Sequence, residues 1–113
     1  MRMAIIVAVL VLLAGCGPSM TPAERAQANC NSRVDASMMA EHFVEQRLKS
    51  PSTAKFGPYR EMTIISTGGE CEFLVSSYVD AQNSFGAMMR NNFTAVVRYV
   101  PDTDKWQLIS LDM

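Results

Sequence analysis

The sequence predicts an α+β domain in which one N-terminal amphipathic helix packs on a four-stranded antiparallel meander. Three observations carry this. Residues 33–49 place apolar side chains at helical spacing. From Tyr59 onward, runs rich in Val, Ile, Thr, Phe and Tyr alternate with polar residues at a period of two. Two turn sequences, Thr67-Gly68-Gly69-Glu70 and Pro101-Asp102-Thr103-Asp104, divide these runs into hairpins. A helix followed by strands, with no helix between them, belongs to the α+β class.

The chain has 113 residues. It opens with Arg2 and an uncharged apolar run, Met3 to Leu13. That is the layout of a secretory leader. The run is shorter than the roughly 20 apolar residues that span a bilayer. Leu13-Ala14-Gly15-Cys16 follows. These residues resemble the lipobox of bacterial lipoproteins, which implies cleavage before Cys16, a diacylglyceryl thioether on its sulfur and usually an acyl group on its new α-amino nitrogen. An ordinary secretory signal, the alternative, needs no Cys behind the cut. Two or more acyl chains hold a protein stably at a bilayer, whereas one holds it marginally. Of 113 residues, removal of 15 leaves 98, enough for one domain. Loss of Arg2 leaves nine basic against 11 acidic side chains. With no basic run, nucleic acid is not an expected partner.

With Cys16 lipidated, Cys30 and Cys71 remain as an even pair in an oxidising compartment. Residues 16–32 read as the lipidated Cys and a tether. Thr21-Pro22-Ala23-Glu24 offers a short helix start, and Asn29-Cys30-Asn31-Ser32 ends it. Residues 33–113 form the domain. On the helix Arg33 to Lys49, Ala36, Met39, Ala40, Phe43 and Val44 share one face, while Asp35, Glu41, His42, Glu45, Gln46 and Lys49 lie on the other. Ser50-Pro51 stops it, and Ser50 to Phe56 allows a further short turn.

Tyr59 to Ser66 and Cys71 to Asp80 form the first hairpin. With Gly68-Gly69 as a two-residue loop, Ser66 faces Cys71, Ile64 faces Phe73 and Met62 faces Val75. The core face then carries Met62, Ile64, Cys71, Phe73, Val75 and Val79. Cys30 lies just before the helix that covers this face, so a Cys30–Cys71 bond would pin the helix start to the hairpin; two separate buried thiols are the alternative. Asp80 to Gly86 is turn-rich, residues 87–100 are a third strand and 105–111 a fourth. Pairing Val100 with Lys105 sets Tyr99 beside Trp106 and Val97 beside Leu108. The apolar faces of both hairpins agree, which supports the register.

The opposite sheet face collects Ile65, Leu74, Tyr78, Val96, Ile109 and Leu111, with no second helix to cover it. A contiguous patch of that kind suggests a partner; coverage by the tether or by sheet curvature is the alternative. The loop Asp80–Phe85 combines polar side chains with one aromatic, as recognition loops do, although Asp80 and Asn83 also suit turn backbone and Phe85 a core edge. The candidate partner-binding residues are therefore Ile65, Leu74, Tyr78, Asp80, Gln82, Asn83 and Phe85. His42, the sole histidine, reads as a solvated helix residue without a Cys/His cluster, so no metal site is expected. Glu41, Glu45, Glu70 and Glu72 sit where solvated charges belong. Met38-Met39 and Met88-Met89 would suit a soft metal or an adaptable contact, with Met39 in the core as the simpler reading.

Residues 48–56 (Leu-Lys-Ser-Pro-Ser-Thr-Ala-Lys-Phe) and 79–87 (Val-Asp-Ala-Gln-Asn-Ser-Phe-Gly-Ala) resemble a family of small bacterial and phage-associated secreted domains. The resemblance implies an exported helix-plus-sheet module and supplies no catalytic residues. The expectation is a non-enzymatic envelope lipoprotein without cofactor, held to the membrane by its lipid and presenting a protein-binding domain to another envelope protein. Gly17 behind the lipidated Cys resembles lipoproteins sorted to the outer membrane facing the periplasm. The alternative is a small-ligand carrier with a pocket between helix and sheet.

Overall fold

Thr21 caps the first helix: its Oγ1 accepts from the Glu24 amide at 3.1 Å, and Pro22 occupies the first turn. Helix α1, Pro22–Cys30, is the first element of a computed structural model that describes residues 19–113. The leader 1–15 and Cys16, on which the cleavage and lipidation reading falls, lie outside the described residues. Within residues 16–32, read as lipidated Cys and tether, α1 is the short helix that Thr21-Pro22-Ala23-Glu24 offers. Cys30 at the end of α1 is disulfide-bonded to Cys71, with the Cα atoms 4.5 Å apart, so α1 belongs to the folded unit.

Helix α2, Arg33–Glu45, starts on Ser32, whose Oγ accepts from the Asp35 amide at 3.1 Å. Its buried face is small: Ala36, Ala40 and Val44 are fully enclosed, and Ser37 returns its hydroxyl to the Val34 carbonyl at 2.6 Å. Small side chains let the helix axis lie close to the sheet, while half-buried Phe43 and Leu48 fill its flanks. The helix expected to run to Lys49 ends at Glu45. There the Arg47 and Leu48 amides turn to the Val44 and Glu45 carbonyls, three residues back, which tightens the last turn. Pro51 then holds Ser50 out of the helical region, at φ −131° and ψ 76°.

The sheet has five antiparallel strands rather than four: β1 Lys55–Phe56, β2 Thr63–Ser66, β3 Glu72–Gln82, β4 Met88–Val100 and β5 Lys105–Asp112. β3 pairs with β4 along its whole length; on its other side β2 lies against its first half and β1 against its second. The expected strand Tyr59–Ser66 is shortened to Thr63–Ser66, because Tyr59–Glu61 forms a 3₁₀ turn, and β1 is an added strand where only a short turn was expected. Chain chemistry explains the gap between β1 and β2. The Gly57 amide makes the last bond of this edge, to the Tyr78 carbonyl at 3.1 Å, and Pro58 has no amide to make the next. A Cβ on Gly57 would sit 2.8 Å from the Tyr78 ring, so only glycine lets the chain pass there.

Two registers differ from expectation. In the first hairpin Ser66 pairs with Phe73 and Ile64 with Val75, two residues further along than the Gly68-Gly69 loop implies. The turn takes in Cys71, whose φ is 53°, and closes with the Thr67 amide on the Glu72 carbonyl. A slip of two keeps every side chain on its face, so the expected core survives: Ile64, Phe73, Val75 and Val79 are buried. In the second hairpin the pairing of Tyr99 with Trp106 and Val97 with Leu108 holds, but a bulge follows. Ile109 is extra, Val96 meets Ser110, and Ala95 meets Leu111. Leu111 therefore packs against the core and leaves the outer face to which an unbroken alternation assigned it.

Candidate partner-binding surface

α2 covers one face of the sheet, and the other face carries a series of cross-strand rows. Ile65 pairs with Leu74, Leu74 with Val96, and Val96 with Ser110 beside the bulged Ile109. Ile65 is 50% exposed and Ile109 43%, with Leu74 and Val96 half-buried between them. The result is one apolar row of four side chains running across β2, β3, β4 and β5. Direct cross-strand neighbours are about 5 Å apart, close enough to form a continuous surface.

Tyr78 does not join this row. It lies four residues along β3 from Leu74, roughly 13 Å at strand rise, with a polar row between them where Ser76 and Thr94 oppose each other at 3.4 Å between hydroxyl oxygens. Instead Tyr78 supports a charged cluster. Lys55, Asp80 and Arg90 are aligned across β1, β3 and β4. Arg90 donates from Nε and from one terminal nitrogen to the two Asp80 oxygens, at 2.8 and 2.9 Å. Its guanidinium carbon stands 3.9 Å from the Tyr78 ring centroid. The Arg90 hydrogen bonds, aided by the Arg90 and Lys55 charges, hold the Asp80 carboxyl below its ordinary range. A paired, ring-stacked Arg is fixed in direction, so this cluster is a positioned ion pair and not a free charge.

Asp80 and Gln82 are not loop residues. β3 runs through Gln82, whose amide donates to the Thr53 hydroxyl at 2.9 Å. The loop expected at Asp80–Phe85 is shorter and lies at Asn83–Ala87. Asn83 builds it: its Oδ1 accepts from the Phe85 and Ala87 amides at 2.9 and 3.1 Å, and its own amide donates to the Ala87 carbonyl. Gly86, at φ 81°, completes the turn. Phe85 at the tip is 93% exposed and plugs no core edge. The seven candidate residues therefore divide into three places: Ile65 and Leu74 in the apolar row, Tyr78 and Asp80 in the charged cluster, and Gln82, Asn83 and Phe85 at the hairpin tip.

Arg90 and Lys55 were missing from the sequence reading. Their signal was the β3–β4 register, which becomes readable only once Asn83–Ala87 is recognised as the turn. Away from this face, His42 Nε2 lies 3.1 Å from Gln46 Nε2 and the ring meets Phe43 edge-on, as a surface helix residue would. Burial, with the Glu45 charge behind it, raises the Glu41 carboxyl above its ordinary value. Among the described residues no group of three or more His, Cys, Asp and Glu could hold a metal, and no helix is long and apolar enough to cross a membrane. Compared with protein families, characterised proteins and solved structures, the chain matches none.

Proposed function

We propose that this protein is a lipid-anchored envelope protein, attached through Cys16 to the periplasmic face of the outer membrane, whose domain binds another envelope protein and catalyses no reaction. The observation that carries the reading is the exposed apolar row Ile65–Leu74–Val96–Ile109 on the face that α2 does not cover. Around it, the Asp80–Arg90 pair and the Asn83 turn are held by their own hydrogen bonds, which suits recognition by a preformed surface. The leader layout, Leu13-Ala14-Gly15-Cys16 and the Cys30–Cys71 bond support export. So does the resemblance of residues 48–56 and 79–87 to small secreted bacterial domains.

Two experiments test it. A photo-crosslinking residue at Ile65 in intact cells should capture one defined envelope protein. The same residue at Met38, 60% exposed on the outside of α2, should not capture it; equal capture at both positions overturns the surface. Cys16→Ser should leave unprocessed precursor without incorporated lipid, and normal processing would remove the anchor from the proposal. The small-ligand alternative rests on a groove of about 310 Å³ between the chain leaving α2 and the sheet, bordered by Leu48, Lys49, Gln82 and Asn91. It requires a ligand-dependent rise in Tm that is lost when Gln82→Trp fills the groove.

A further inference from the structure

β5 is the outermost strand of the sheet, and among the described residues no other strand pairs with its far side. Such an edge presents unused backbone N–H and C=O groups, a template for another strand. The opposite edge is a poor template, because it is broken at Pro58 and the Tyr59–Glu61 turn. β5 is also self-complementary. Its sequence is Lys-Trp-Gln-Leu-Ile-Ser-Leu-Asp. Set it antiparallel to a second copy about an axis between Leu108 and Ile109. Lys105 then opposes Asp112 of the second copy, Trp106 opposes Leu111, Gln107 opposes Ser110 and Leu108 opposes Ile109. Charge meets opposite charge at both ends, Trp106 meets Leu111 on the α2 side and amide meets hydroxyl on the outer side, while Leu108 and Ile109, on opposite faces, lie at the axis beside their own counterparts.

We propose that the chain dimerises through β5, joining two sheets into one across a two-fold axis. Burial supports the occupant. Trp106, Leu108 and Leu111 are only half-buried, whereas their β4 partners Tyr99, Val97 and Ala95 are at most 2% exposed. The missing cover is at the free edge, where the second copy brings Leu111 against Trp106 twice. The bulge makes the fit selective. Trp106 and Leu111 both pack on the α2 side although five residues separate them; in a regular strand, residues five apart face opposite ways. A regular strand can therefore match one end of β5 or the other, but not both. A second copy carries the same break in the same place. The bulge that guards this edge against other strands thus permits its own kind, and the interface is the same patch on both copies. The apolar row of the proposed protein-binding face runs up to this axis from both sides, yet the dimer does not depend on that reading.

The test uses purified full-length chain, one preparation carrying Gln107→Cys and another Ser110→Cys. Both positions are exposed on the outer face, so neither change disturbs the core. Under mild oxidation the mixture should form a dimer linked between 107 and 110, identified by the joined peptides, while each preparation alone should not form its own 107–107 or 110–110 link. Lys105→Asp should lower the yield about tenfold, because both charged pairs become repulsive together, and Lys105→Asp with Asp112→Lys should restore it. Retention of the Cys30–Cys71 bond in every variant reports that the domain is folded. No 107–110 link in folded protein, a link of equal yield within either preparation alone, or a double variant no better than the single one would each overturn the proposal.

Discussion

Leu111 and Ile109 show how a single residue changes sides. An alternation read straight through β5 puts both on the outer face, but the bulge sends Leu111 against Ala95 and the core while Ile109 stays 43% exposed. Leu111→Ala should therefore cost about 2 kcal/mol and Ile109→Ala no more than about 0.5 kcal/mol, measured by urea unfolding. Ser77 is the reverse case. Its hydroxyl is enclosed without a hydrogen-bond partner, so Ser77→Ala should stabilise the domain by about 1 kcal/mol. Asp80 offers a titration. Its folded carboxyl is depressed by Arg90, so the pair's contribution is present above the unfolded carboxylate value and is lost as pH falls through the folded one. An NMR titration of Asp80 should give a midpoint below that of an ordinary aspartate, and Arg90→Ala should move it back up.

At the scale of elements, the domain is organised by β3. It pairs with β4 along its whole length on one side, and on the other with β2 over residues 73–76 and β1 over residues 79–80. Its buried residues, Phe73, Val75, Val79 and Ala81, alternate with half-exposed ones, and α2 lies over the buried set with an alanine-rich face. The helix α1 contributes no residue to that core and is held instead by Cys30–Cys71, which closes a span of 41 residues. The loop-closure cost removed from the unfolded chain corresponds to about 4 kcal/mol. Denaturant unfolding with and without reductant should show a loss of that order. A far smaller loss would mean that α1 packing, and not the bond, secures the N-terminal end.

Taken whole, the molecule is asymmetric in what it shields. Among the described residues, α2 closes one sheet face, and the opposite face and the β5 edge are open. The proposed anchor and the proposed surfaces are thus separable. The proposals place anchoring at Cys16, partner binding in the apolar row and self-association in β5. Loss of lipid incorporation in Cys16→Ser should leave the Cys30–Cys71 bond and the 107–110 contact unchanged, provided the precursor still reaches the oxidising side of the membrane.

By itself the sequence determined the α+β class, the face of α2 that packs, the turn at Pro101–Asp104 and the residues of the first hairpin's core face. These are local or periodic properties: a 3.6-residue repeat, a two-residue repeat and turn chemistry. The Cys30–Cys71 bond was one of two readings until the fold set the two Cα atoms 4.5 Å apart. Tertiary structure decided where periodicity fails. The Tyr59–Glu61 turn removed the start of one expected strand while Lys55–Phe56 added a short one on the same side of β3, Cys71 lengthened a turn by two residues, and the bulge at Ile109 moved Leu111 across the sheet. It also assembled Lys55, Asp80, Arg90 and Tyr78, which come from three strands. No pattern along the chain could express that cluster, because strand register is a contact between distant segments, fixed by which pairing buries the most side chains.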